Sequence, residues 1–239
     1  MRRLFENAAS ILSISNYTVA RLAKYGFSSR NLFLGVDPNG FFPVTDTSRL
    51  SDLRQSFDAD ERSRLVVSAS RLELSKGHDV LIQAFSRLSA DMPDVRLLIA
   101  GDGRDRQTLE QLARESSAAS QITFLGRLPR HRLRELFQIS FCFAMITRRE
   151  NFGLVYLEAS ACGKAVIGGR TGGVPEAVED GVSGLLVNPE SVHETETALR
   201  KLLSDQGYCD KLGQQGYGRF LRQFTSVHMA QKMLDLMQI

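Results

Sequence analysis

At 239 residues and 43% hydrophobic composition the chain can bury one large core, and 30 Lys plus Arg against 27 Asp plus Glu leave a net charge of only +3. So small a surplus excludes a nucleic-acid binder defined by its charge. No run approaches the ~18 apolar residues of a membrane span. Charges and Asn interrupt MRRLFENAASILSIS where a signal peptide needs an apolar stretch, so a cytoplasmic location is expected. Cys142, Cys162 and Cys209 are widely spaced, two of them in apolar segments, which predicts reduced buried thiols and no metal site.

In chain order, residues 1–63 read as a lead-in: a helix, SILSIS as a short strand, a helix from Tyr17 to Lys24, NLFL as another short strand, then the Gly/Pro-rich GVDPNGFFP. From residue 64 the pattern changes. Strands are predicted at RLVVSAS (64–70), VRLLIAG (95–101), QITFLG (121–126), FCFAMI (141–146), KAVIGG (164–169) and GLLV (184–187). Amphipathic spacing puts helices over 78–89, 105–116, 130–137 and 153–161, and three more over 191–203, 208–222 and 227–237. The alternation predicts an α/β fold, a doubly wound, Rossmann-like parallel sheet with right-handed crossovers.

Such a sheet binds ligands at the carboxyl ends of its strands. The dinucleotide fingerprint fails there, because Gly101-Asp102-Gly103 is followed by Arg106 where a third glycine belongs; a Walker A loop is absent too. Three other loops carry chemistry. Arg71 and Lys76 follow the first strong strand and open the next helix, so a planar fork of donors and a point charge can converge on one anion, a diphosphate being the natural match. A solvated turn is the bland alternative. Glu150 and Glu158 lie about 80° apart around a helix axis, a spacing that suits two separate tasks, such as accepting from paired sugar hydroxyls, or merely a helix surface. Gly153 between them admits a ligand close to the backbone. After KAVIGG, Gly172-Gly173 and Pro175 make a tight turn whose amides are expected to face the same crevice. Arg127, Arg130, His131, Arg132 and Arg134 are expected to form a solvated helix face above a stripe of Leu128, Leu133, Leu136 and Phe137; no aromatic residue interleaves them, and no nucleic-acid partner is expected.

The ordered series Ser70-Arg71-Leu72 to Lys76-Gly77, Ala100-Gly101-Asp102-Gly103, Phe124-Leu125-Gly126, Glu150 through Glu158, Gly172-Gly173 and Asp180-Gly181-x-x-Gly184-Leu185-Leu186-Val187 resembles the nucleotide-sugar-binding half of group 1, or family 4, retaining glycosyltransferases. The resemblance covers nearly the whole chain, including a linker at Gly35-Val36-Asp37 and Phe42-Pro43. It implies one lobe of a GT-B fold: residues 1–34 as the end of an N-terminal lobe, 35–222 as the donor-binding domain, and 223–239 as a helix that packs on the other lobe. It further implies that Arg71 and Lys76 hold the diphosphate of a UDP- or GDP-sugar and stabilise the leaving group, and that Glu150 binds sugar hydroxyls. The amides near Phe152, Gly153 and Leu154, with Gly172 and Gly173, would complete the donor contacts, and Glu158 would accept from the ribose. No cofactor or metal is implied. A separate chain bearing the acceptor lobe, and peripheral membrane association, are compatible with this reading, as is a donor-binding module inactive on its own. Ser70, Leu34, Ile146 and Asn151 depart from the family's usual Gly, Asn, Pro and Gly, and Asn151 leaves the choice of sugar open.

Overall fold

The computed structural model describes residue 8 and residues 10–237. The lead-in contains β1 (Leu12–Ser13), α1 (Asn16–Ala23), β2 (Arg30–Asn31) and α2 (Thr47–Gln55). Then β3 (Arg64–Ala69), α3 (His78–Ser89), β4 (Val95–Ala100), α4 (Arg106–Glu115), β5 (Ile122–Gly126), α5 (Arg130–Ile139) and β6 (Cys142–Met145) follow. They lead to α6 (Leu154–Ala161), β7 (Ala165–Gly169), the single turn α7 (Val174–Ala177), β8 (Gly184–Val187), α8 (Val192–Ser204), α9 (Gln206–Gln223) and α10 (Ser226–Met237).

Strands β3 to β8 make one sheet in the order β5-β4-β3-β6-β7-β8, every neighbouring pair parallel. This is the doubly wound, Rossmann-like sheet that the alternating pattern predicts. Its inner strands are mostly apolar because both faces are covered, whereas the edge strand β5 buries no residue fully. Val66, Leu97, Ile99, Cys142 and Ala144 pack against α3, α4 and α8, while the alternate residues Leu65, Val67, Leu98, Phe143 and Met145 pack against α5, α6 and Phe220 of α9. The three cysteines are free and buried, and burial pushes the Cys162 and Cys209 thiols up to about 12.

The lead-in differs most from expectation. The helix expected ahead of SILSIS falls on residues outside those described. The expected strand at 31–34 shrinks to Arg30–Asn31, paired in parallel with Leu12–Ser13, since Phe33 turns its ring onto Phe152 and Phe224 at 5.3 and 5.5 Å. Helix α2 was not expected at all. It starts at Asp46, whose carboxylate accepts from the amides of Ser48 and Arg49, and lies against α5 through Leu50 and Leu53. The basic face of α5 is also no plain solvated surface. Arg130, Arg132 and Arg134 lie over the rings of Phe41, Phe57 and Phe42 at 5.3, 3.9 and 5.0 Å. Aromatic partners missing from the local sequence are thus supplied by the linker and the end of α2.

Helix α10 returns to residues 30–35: Arg30 donates to the Leu236 carbonyl at 2.9 Å, and Lys232 sits 5.5 Å from the centre of the Phe33 ring.

Candidate active site

Strand order reverses between β3 and β6, so the loops leaving them diverge and open a crevice. The loop after β3 is braced from below. His78, buried at the start of α3, meets Ser68 Oγ at 3.3 Å through Nδ1 and Ser70 Oγ at 2.8 Å through Nε2. Burial lowers its pKa to about 4, so the ring is neutral near pH 7. Ser70, a departure from the family pattern, thereby gains a partner that glycine could not offer.

A short 3₁₀ turn, Leu74–Lys76, then carries Lys76 inward, and Gly77 closes it at φ 72°. A Cβ on Gly77 would stand 1.8 Å from the Ile146 carbonyl oxygen, so glycine is needed for the two loops to touch. That contact brings Lys76 to Glu150: Nζ donates to Oε2 at 2.7 Å, with the side chains 14% and 18% exposed. Arg71 stays at the rim, 72% exposed, bonded to Glu73 at 2.9 Å.

The loop after β6 is pinned at several points. Arg148 grips Asp79 through two nitrogens at 2.8 and 2.9 Å and Glu190 through Nε. These carboxylates, Asp79 first, hold its pKa above the usual arginine value. The Arg148 amide donates to the Ser75 carbonyl at 2.8 Å. Asn151 N donates to Glu150 Oε1 at 3.0 Å, leaving each carboxylate oxygen one protein partner and a further lone pair. Gly153, at φ 93°, lies so close to the Tyr156 ring that a Cβ would sit 2.5 Å from it, and the Tyr156 hydroxyl donates to Met145 O at 2.6 Å. Among the described residues the N–H groups of Gly153 and Leu154, at the start of α6, donate to no backbone carbonyl.

One expected contact comes out differently, and the expectation of a backbone contact at Phe152 is unaffected by where its ring lies. The Gly173 amide does not face the crevice but donates to the Glu150 carbonyl at 3.0 Å. Gly172 and Gly173 therefore shape the Glu150 loop from behind; a Cβ on Gly172 would meet Glu150 O at 1.9 Å. The Phe152 ring is buried between Phe33 and Phe224, so only its backbone borders the crevice.

Glu158, on α6, lines a cavity of about 550 Å³ together with Ser70, Arg71, Gly101 and Val155. Burial raises its pKa to about 7 against the opposing pull of Arg130, 3.4 Å away. Glu150 and Glu158 thus occupy separate environments, one paired with a half-buried lysine and the other near its titration point. A second cavity, about 580 Å³, is bordered by Lys76 and Glu150, by Arg71, Arg149 and Asn151, and by Tyr17 and Arg21 of α1. Tyr17 and Arg21 were not singled out from sequence; they arrive because α1 docks here. Ser15 Oγ donates to Asn151 O at 2.6 Å, and the amides of Asn16 and Tyr17 donate to the Glu176 carboxylate at 2.7 and 2.8 Å.

Among the described residues no group of three or more His, Cys, Asp or Glu is placed to hold a metal ion, and no helix is long and apolar enough to cross a membrane.

The sequence pattern of the family described as glycosyl transferases group 1 matches residues 51–219. A GDP-mannose-dependent alpha-(1-6)-phosphatidylinositol monomannoside mannosyltransferase of Mycolicibacterium smegmatis is 35% identical over 226 residues, covering 90% of this chain and 58% of the relative. The protein of the same name from Mycobacterium tuberculosis is 32% identical over 248 residues, covering 100% of this chain and 64% of the relative. The chain therefore spans 58–64% of the length of these relatives. Among solved structures, Anabaena HepE in complex with UDP and glucose superposes with a TM-score of 0.90 at 24% identity, over 98% of this chain and 64% of that one. Sucrose-phosphate synthase from Thermosynechococcus elongatus gives 0.88 at 25% identity, over 99% and 59%.

Proposed function

The chain belongs to the group 1 glycosyl transferases, and on that premise we propose that it is the donor-binding half of a retaining hexosyltransferase that uses a nucleoside-diphosphate sugar. The observation that carries the reading is the Lys76–Glu150 pair, set between the rim cation Arg71 and the open N–H groups of α6. An ammonium has three protons, and Lys76 uses one on Glu150. The other two, with Arg71, can meet a diphosphate. As the bond between the anomeric carbon and the phosphate oxygen breaks, negative charge collects on the diphosphate, where Arg71, Lys76 and the start of α6 are already in place. Glu150 accepts from sugar hydroxyls with its free lone pairs. The nucleoside enters the cavity beside Glu158, which accepts from ribose hydroxyls in its ionised form. GDP-mannose dependence in relatives at 32–35% identity favours guanosine over uridine.

Titration of the chain with GDP and UDP tests this. One of them binds, and Arg71→Ala or Lys76→Ala weakens it at least about tenfold; in the whole enzyme either change costs about 10²–10³ in kcat. Unchanged affinity in both variants, or no nucleotide binding, refutes the reading. The chain spans 58–64% of its relatives, which keeps a second reading open, a module that binds donor but needs an acceptor-binding partner chain. Binding without turnover of GDP-mannose or UDP-glucose supports that second reading.

A further inference from the structure

We propose a second, anion-binding site at the far end of the sheet from the crevice, where Lys164 and Arg54 take a phosphate-like oxyanion. The inference does not depend on the donor-binding reading. A cavity of about 190 Å³ opens beside the first residues of β3 and β7, lined among others by Arg54, Arg64, Ser140, Lys164, Gln206 and Asp210. The crevice lies at the other ends of these strands, roughly 20 Å away at about 3.3 Å per residue. The carrying observation is that two cations border this cavity without a partner of opposite charge. Arg64 is matched by Asp94 at 2.7 Å, but among the described residues neither Arg54 nor Lys164 forms an ion pair. Asp210, the carboxylate on the lining, is bonded to Gln206 at 2.8 Å.

Local structure brings the two cations together. Gly163, at φ 75°, ends α6 and lets the Lys164 amide reach back to the Ala159 carbonyl at 3.1 Å. Gly213 of α9 lies so close to this turn that a Cβ on it would stand 2.3 Å from Gly163 O, and Gln206, Cys209 and Asp210 of the same helix form one wall of the cavity. Arg54 enters from α2. Its Nη2 donates to Asp60 O at 2.7 Å and its Nη1 to Ile139 O at 3.3 Å, while its Nε is buried with no partner. Carbonyls orient a guanidinium without balancing its charge, and an idle buried N–H lowers stability. Lys164 Nζ is idle too, since among the described residues no hydrogen bond satisfies it. Burial lowers the Lys164 pKa against the pull of Cys162, Cys209 and Asp210, and the Arg54 charge lowers it further. Each cation thus disfavours the other, and one oxyanion between them relieves both. A water can accept from Nε and Nζ but removes none of the repulsion. The volume is that of about six waters at about 30 Å³ each, enough for phosphate with part of its hydration shell.

Thermal unfolding in sodium phosphate, against sodium chloride of equal ionic strength, tests this, with phosphate affinity measured in parallel by calorimetry. Phosphate at about ten times its dissociation constant is expected to raise the unfolding midpoint by about 3–6 °C. Lys164→Met is the deciding variant, because it removes the charge and keeps most of the stem. It should raise the midpoint in phosphate-free buffer, where an unmatched charge is lost, and weaken phosphate binding at least about tenfold. A lysine with a purely structural role would instead lower the midpoint in both buffers and leave phosphate affinity unchanged. Arg54→Met should weaken phosphate binding to the same extent, and Lys164→Gln serves as a further variant should the Met chain fail to fold. Tighter binding of inorganic phosphate than of glycerol 3-phosphate assigns the site to the free ion, and the reverse order assigns it to a phosphate ester. The proposal is overturned if phosphate does not bind, if chloride gives the same rise, or if the Lys164 and Arg54 variants bind phosphate unchanged. It is overturned as well if Arg71→Ala abolishes a binding that Lys164→Met leaves intact, which places the anion in the crevice.

Discussion

The loops after β3 and β6 face each other across one crevice and are held in opposite ways. The β6 loop is tied to α3 and the 3₁₀ turn through Arg148, to the Gly172–Gly173 turn through Glu150 O, and to α1 through Asn151 O. Its carboxylate therefore has a fixed address. On the β3 loop, Lys76 shares that fixity through Glu150, whereas Arg71 projects into solvent with Glu73 as its partner. Under the proposed function the contrast separates two tasks. Recognition of neutral hydroxyls needs acceptors placed to a few tenths of an ångström, while capture of a charged diphosphate is served by a long cation that reaches out and then closes down.

Loosening the fixed loop is expected to have the largest effect. Gly172→Ala puts a Cβ 1.9 Å from Glu150 O on a residue at φ 56°, so backbone must move; a loss of at least about 3 kcal/mol in urea unfolding is expected. Gly26→Ala is the matched control, at φ 82° with nothing within 4 Å, and should cost only about 1 kcal/mol. If the two cost the same, the tie behind Glu150 is unimportant. Next comes Arg148→Ala, which leaves the mostly buried Asp79 without its partner and should cost about 2 kcal/mol. It should weaken binding of the nucleotide sugar more than binding of GDP alone, measured by calorimetry, because the displaced group is Glu150 and not Arg71.

The last prediction concerns Glu158, which stands on α6 across a cavity from Ser70 and Arg71 of the β3 loop. Its folded pKa of about 7 lies above the ordinary 4.5, so its contribution to stability is fully present below about pH 4.5 and lost as pH rises through 7. Glu158→Gln should remove that loss, worth about 1–3 kcal/mol at pH 8. If Glu158 takes the ribose as proposed, nucleotide binding runs the other way, since ribose hydroxyls need the ionised carboxylate. Wild-type affinity should fall up to about tenfold between pH 7.5 and 6, and the Gln variant should lose most of that dependence.

The sheet was legible in the sequence because both its faces are buried: six apolar runs such as Val66-Val67 and Phe143-Ala144 have no other use. Helix α2 was not legible by periodicity, because it buries no residue fully; the capping Asp46 before Ser48 and Arg49 was the signal that could have found it. Arg71, Lys76, Glu150 and Glu158 could be named from strand ends, yet the bond between Lys76 and Glu150 spans 74 residues of sequence and follows only from the touching of Gly77 and Ile146. The Gly173 amide was misassigned for a related reason: a turn's sequence gives its bend but not which neighbour takes its donor. Tyr17 and Arg21 were passed over because a single residue on a helix carries no local pattern, and they reach the crevice only because α1 docks on Asn151 and Glu176.

The chain passes between the lead-in and the sheet domain along two backbones that lie side by side. Val36 N donates to Phe224 O at 2.8 Å and Ser226 N to Val36 O at 2.9 Å, and Gly35 is bare where a Cβ would stand 2.5 Å from Thr225 O. A torque applied to residues 10–34 or to α10 therefore reaches the sheet through paired cords that cannot slide past each other without breaking their rungs, and through the hydrogen bonds of Ser15, Asn16 and Tyr17 to Asn151 and Glu176.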